Sequence, residues 1–159
     1  MVYSEEPVAE SNNLDTMLRF SDNNGTSWSA PIKVDDDATT TKAQFLPKIS
    51  ADPATGNVGV CWHDCRNSAG NTAMQVFCTA TSPVPATPTF AANVLTSDGA
   101  STSNGSGVEF GDYSGLAFAF NVIHPAWADT SNSTGNNPNG TANFDGYTRR
   151  QESAAALEA

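Results

Sequence analysis

The chain has 159 residues, 38% of them hydrophobic, enough to bury the core of one domain of ordinary size. Its formal charge of −10, from 17 Asp and Glu against 7 Lys and Arg, gives a surface that repels phosphate backbones, so nucleic acid is excluded as a partner. No apolar run approaches the roughly 18 residues that a membrane helix needs, so no membrane partner is expected. The polar excess is Ser, Thr and Asn rather than Lys and Glu, which favours short strands and many turns over helices.

In chain order, residues 1–10 carry Glu5, Glu6 and Glu10 where a signal peptide needs a basic start and an apolar stretch, so any export signal is expected outside this sequence. The first strand is expected at 16–20, closed by a turn cluster at 21–25, and the second at 32–34. Residues 45–50 read as a strand ended by Asp52-Pro53-Ala54-Thr55-Gly56, a strong turn sequence. Residues 57–64 then read as a mostly buried strand and 73–80 as its hairpin partner, joined by a loop with Gly and Asn at its tip. Pro83, Pro85 and Pro88 forbid regular structure before a strand at 92–95. Strands follow at 115–120, 122–129 and 144–149. The Ala-rich tail, 153–159, reads as vector-derived sequence outside the fold.

An internal repeat organises these strands. Phe45 leads Trp62 by 17 residues, Phe110 leads Trp127 by 17, and the tryptophans open matching steps, Trp62-His63-Asp64 and Trp127-Ala128-Asp129, 65 residues apart. Residues 15–34 match the closing half of such a unit. The expected organisation is a half unit over 1–40, a full unit over 41–98 and most of a third over 99–152. The class is all-β, and units of this kind suggest a partial β-propeller of four-stranded antiparallel blades, about three blades' worth.

Ser21-Asp22-Asn23-Asn24-Gly25-Thr26-Ser27-Trp28 resembles the Asp box, Ser-x-Asp-x-Gly-x-Thr-Trp, of sialidase-like BNR-repeat propellers. Ser21, Gly25 and Trp28 match outright, Asn23 takes the Asp position and Ser27 the Thr position. A short acceptor at Asn23 can bond the amides of its own loop, Gly25 supplies a backbone conformation costly for other residues, and Trp28 covers the hairpin. The segments from Asp52 to Asp64 and from Phe110 to Asp129 resemble blade sequences of the same proteins. A second box is absent, since Thr81-Ser82-Pro83-Val84-Pro85 stands where it would be. The resemblance implies an extracellular glycoside hydrolase acting on terminal sugars, with this box at the rim and structural in role. Closed propellers of the family have six blades or so. The chain therefore reads as a fragment of a longer protein, with an oligomer completing the ring, or a compact sandwich, as alternatives.

A sialidase uses an arginine cluster to hold the substrate carboxylate, a Tyr nucleophile paired with Glu, and an Asp acid/base. Carried over by residue type alone, the catalytic candidates are Arg66, Asp112, Tyr113 and Arg149, with Glu109 offering the remaining carboxylate. Trp62, Asp64, Trp127 and Asp129 read as repeated packing residues whose carboxylates receive turn amides; the sharper reading makes them a sugar-binding platform. The alternative to an enzyme is a non-catalytic propeller segment binding a glycan, glycoconjugate or protein. A peptidase or other hydrolase carrying BNR repeats elsewhere is a third reading.

His63 and His124, the two histidines, lie outside any zinc spacing, and Asp35-Asp36-Asp37 reads as a solvated acidic turn rather than a calcium loop. No metal or cofactor is implied. Cys61 and Cys65 share a strand and stand too far apart to bridge, whereas closing the hairpin around Ala69-Gly70 sets Cys61 opposite Cys78. A Cys61–Cys78 disulfide with Cys65 free is expected, and it implies a secreted or periplasmic protein. Asn24, Asn104, Asn132 and Asn139 each begin Asn-x-Ser/Thr, which fits exposed loops.

Overall fold

The computed structural model describes residues 1–11, 13–81, 87–103, 110–142 and 144–153. Within them every regular element is a strand except one short 3-10 turn, Gly140–Ala142. No described helix is long and apolar enough to cross a membrane.

The strands form three antiparallel sheets, none of them closed. The first is a meander of β1 (Val2–Glu5), β2 (Asp15–Leu18) and β3 (Ile32–Lys33). The second runs β4 (Gln44–Ala51), β5 (Val58–Asp64), β6 (Ala73–Ala80), with a broken edge strand made of β7 (Val94–Leu95) and β8 (Ser101–Thr102). The third has β10 (Val122–Asp129) at its centre, β9 (Gly115–Ala119) on one side, and β11 (Asp145–Thr148) and β12 (Gln151–Glu152) on the other. Because β8 pairs with β6, the second sheet extends past residue 98, the boundary expected from the sequence.

The sheets stack face to face. On one face of the second sheet Val60, Trp62 and Phe77 pack with Leu18 and Val34 of the first sheet and its flank. On its other face Cys61, Met74, Val76 and Cys78 pack with Phe118, Ile123 and Trp127 of the third. The second sheet is thus covered on both sides, which explains why Gly59 to Asp64 are all buried and why the sequence there lacks polar alternation. Close approach needs a small residue at Gly59, where an added Cβ would lie 3.1 Å from the Phe118 ring and 3.5 Å from Ile123. The turns join as well: Asn121 N donates to Asp52 Oδ2 at 2.7 Å, and Asn57 Nδ2 donates to Asn121 Oδ1 at 2.9 Å.

Two features depart from the sequence expectation. β1 is a strand, held to β2 from Val2↔Leu18 to Glu5↔Asp15, although its short acidic sequence gave no such signal. Phe110 lies outside β9 and its ring sits 5.3 Å from that of Phe45, so these two phenylalanines touch each other instead of holding equivalent places in successive sheets. The repeat resides in the Trp-x-Asp steps.

Candidate functional site

Each Trp-x-Asp step forms the same local lock at the end of the second strand of its sheet. Trp62 Nε1 donates to Asp64 Oδ2 at 2.8 Å, and Trp127 Nε1 donates to Asp129 Oδ2 at 2.9 Å. The other carboxylate oxygen accepts the backbone amide two residues on, from Arg66 to Asp64 at 2.8 Å and from Ser131 to Asp129. Trp62 is 1% exposed and Trp127 6%, so neither indole offers a face to a sugar. The polar atoms of Trp62, Asp64, Trp127 and Asp129 bond to one another and to turn amides, with the Arg66 and Gln44 side chains added at Asp64.

Arg66 is equally committed. Its Nε donates to Asp64 Oδ2 at 2.9 Å, Nη1 to Asp36 Oδ1 at 2.5 Å and Nη2 to Asn93 Oδ1 at 3.0 Å, while the guanidinium lies 4.3 Å over the Phe77 ring. Asn93 and Asp36 also bond reciprocally, Asp36 N to Asn93 Oδ1 at 2.7 Å and Asn93 N to Asp36 Oδ2 at 3.0 Å. Burial disfavours charge on Arg66, but the hydrogen bonds to Asp64 and Asp36 outweigh it and hold its pKa above the usual value. Asp36 is held below the ordinary carboxylate value: burial opposes this, and the Asn93 amide and Arg66 prevail. Arg66 thus clamps the segment after β3 to the second sheet.

Of the acidic triplet, Asp36 is exposed and Asp37 half-buried, whereas Asp35 is withdrawn from solvent. Asp35 is 4% exposed, and burial pushes its carboxyl up to about 6 even though the Thr16 amide and Lys33 favour the charged form. Asp37 accepts from the Thr39 amide and hydroxyl and from Gln44 Nε2. Among the described residues no three His, Cys, Asp or Glu side chains gather as a metal site.

The other catalytic candidates stand apart. Arg149 pairs with Asp98, Asp112 is exposed, and Tyr113 is 87% exposed. No hydrogen bond among the described residues links any of them to Arg66, and Glu109 lies outside the described residues. Cys61 and Cys78 face each other in the β5–β6 ladder and are joined by a disulfide, with Cys65 free and buried.

The hairpin over Ser21 to Trp28 bends on itself. Ser21 Oγ accepts the Gly25 amide at 2.8 Å, Asn23 Oδ1 accepts the Ser27 amide at 2.9 Å, and Asn23 Nδ2 donates to Ser27 Oγ at 2.8 Å. Asn24 and Gly25 adopt positive φ of 56° and 82°, which a glycine meets without strain. Trp28 does not sink into the core: it is 46% exposed and forms one wall of a groove of about 580 Å³ between the hairpin and the second sheet. Leu18, Phe20, Ile49, Val58 and Pro88 supply most of its apolar lining, and Arg19, Ser21, Asn24 and Thr81 its polar lining. The motif marks Trp28 as a structural cap and carries no sign of this groove, because Ile49 and Val58 join it only through sheet stacking.

The chain matches no protein-family model, no curated protein sequence and no solved structure at a significant level.

Proposed function

We propose that the chain is a non-catalytic, carbohydrate-binding segment of a sialidase-like Asp-box propeller, its three sheets being successive blades. The observation that carries the reading is the contrast between its aromatic and cationic groups. The grouped polar residues a sialidase site would need are spent internally, Arg66 on Asp64 and Asp36 above all, whereas Trp28 keeps an open indole in a preformed apolar groove. A π face of this kind accepts the C–H face of a pyranose ring, and the exposed Asn24 side chain that also lines the groove suits the ring's hydroxyls. Blade-like stacking is supported by the duplicated Trp-x-Asp lock, in which each tryptophan packs toward the preceding sheet. A disulfide between β5 and β6 fits a secreted or periplasmic setting.

Calorimetric titration with neutral and sialylated oligosaccharides, alongside a fluorogenic sialoside assay, tests the reading. Binding without turnover, weakened at least about tenfold by Trp28→Ala, agrees with it. Turnover abolished by Tyr113→Phe or Arg66→Lys would establish the enzyme instead.

A further inference from the structure

The stack of the second sheet on the third encloses polar atoms as well as apolar ones. His63 shares its side of β5 with Cys61, which packs against the third sheet. The imidazole is 2% exposed, and among the described residues neither ring nitrogen has a hydrogen-bond partner. Ser114, the residue before β9, is half-buried, and its Oγ is shut off from solvent and equally unpartnered. Folded proteins satisfy nearly all such atoms, either with protein groups or with ordered water.

The two side chains belong to one cavity. Lys48 of β4, Val76 of β6, and Pro125 and Trp127 of β10 line it with them. Its volume is about 10 Å³, the space of a single water and too little for an organic ligand. Small apolar cavities stay dry, whereas a polar one that offers a water two or more partners holds it. The bonding capacities match here. A neutral imidazole carries one N–H and one bare nitrogen, the serine hydroxyl donates and accepts, and a water does both. Phe45 stacks on one face of the imidazole with ring centroids 5.4 Å apart, which fixes the ring plane in which both nitrogens bond.

We infer that this cavity is a binding site for one water molecule, which bridges the His63 imidazole and the Ser114 hydroxyl and so ties β5 to the entry of β9. The water completes a polar link across an otherwise apolar contact between the second and third sheets. The site is independent of the blade reading and of sugar binding at Trp28.

A crystal structure of the whole chain, at a resolution that shows ordered solvent, tests the inference, with oxygen-17 relaxation dispersion as its counterpart in solution. The expected result is one water within about 3.2 Å of both a His63 ring nitrogen and Ser114 Oγ. Ser114→Val removes the hydroxyl and fills part of the cavity, so the dispersion should count one long-lived water fewer. His63→Phe keeps an aromatic ring against Phe45 and should remove the same water from the other side, which decides the matter if Ser114→Val fails to fold. A cavity without ordered water overturns the inference. So does a water bonded to only one of the two side chains, a direct Ser114–His63 bond, or an unchanged count of long-lived waters in a folded variant.

Discussion

The Asp64 carboxylate is the acceptor on which Trp62 and its surroundings converge: the indole N–H reaches Oδ2 at 2.8 Å, and Arg66 and Gln44 donate to the same group. Its counterpart Asp129 accepts from Trp127 and from the Ser131 amide, with no arginine. The two locks therefore differ in what their loss exposes. Asp64→Ala strands the Trp62 indole N–H and leaves the Arg66 guanidinium with Asp36 as its one carboxylate, and is expected to cost more than about 3 kcal/mol. Asp129→Ala strands neutral donors only, at about 1–3 kcal/mol. Urea midpoints at unchanged slope give the ordering, and equal losses would contradict it.

His63 makes the fold sensitive to acid. It is 2% exposed, neither ring nitrogen has a hydrogen-bond partner among the described residues, and it stacks on Phe45 with ring centroids 5.4 Å apart. Burial lowers its pKa from 6.5 to about 4, with Asp129 pulling upward and Lys48 adding to the decrease. The folded pKa lies below the unfolded one, so the unfolded chain takes up the proton first. The associated stability is complete above pH 6.5 and is lost as pH falls toward 4, by about 3 kcal/mol at pH 4. Replacing His63 with Leu should flatten the stability profile between pH 6.5 and 4. An unchanged profile in the variant would remove His63 as its cause.

The disulfide fixes the number of reactive thiols. Denatured but unreduced protein should take one alkyl group, on Cys65, and three after reduction. Folded protein should react slowly even there, because burial, with the nearby Asp64 charge, pushes the Cys65 thiol up to about 11. Reduction frees a 17-residue separation and should lower stability by about 3 kcal/mol. Three alkylated thiols without reductant would refute the bridge.

Gly59→Ala tests the tightness of the stack. The new methyl would sit 3.1 Å from the Phe118 ring, so the third sheet must give way, at about 1–3 kcal/mol. Phe118→Leu in the same chain should recover part of the loss. Without such recovery the contact does not limit the approach of the sheets.

The sequence made the strands legible wherever local signals coincide. Residues 73–80 and 122–129 are strands with the expected bounds, because β-branched and aromatic residues there run between clear turns. The Cys61–Cys78 pairing followed from hairpin counting alone, since one turn sets the register. The Arg66 clamp was not legible, because its partners lie 30 residues away at Asp36 and 27 away at Asn93 and meet it only once two sheets stack. Trp28 was read by its motif, and its open groove depends on Ile49 and Val58 from another sheet. Exposure of a motif residue is a tertiary property that spacing does not encode.

One tryptophan of the three is open and two are locked, and ¹⁵N–¹H spectra of their indole groups during oligosaccharide titration report on each separately. The Trp28 signal should exchange rapidly with solvent and move on saturation, while those of Trp62 and Trp127 stay protected and fixed. Movement of the Trp62 or Trp127 signal with Trp28 unchanged would contradict the account.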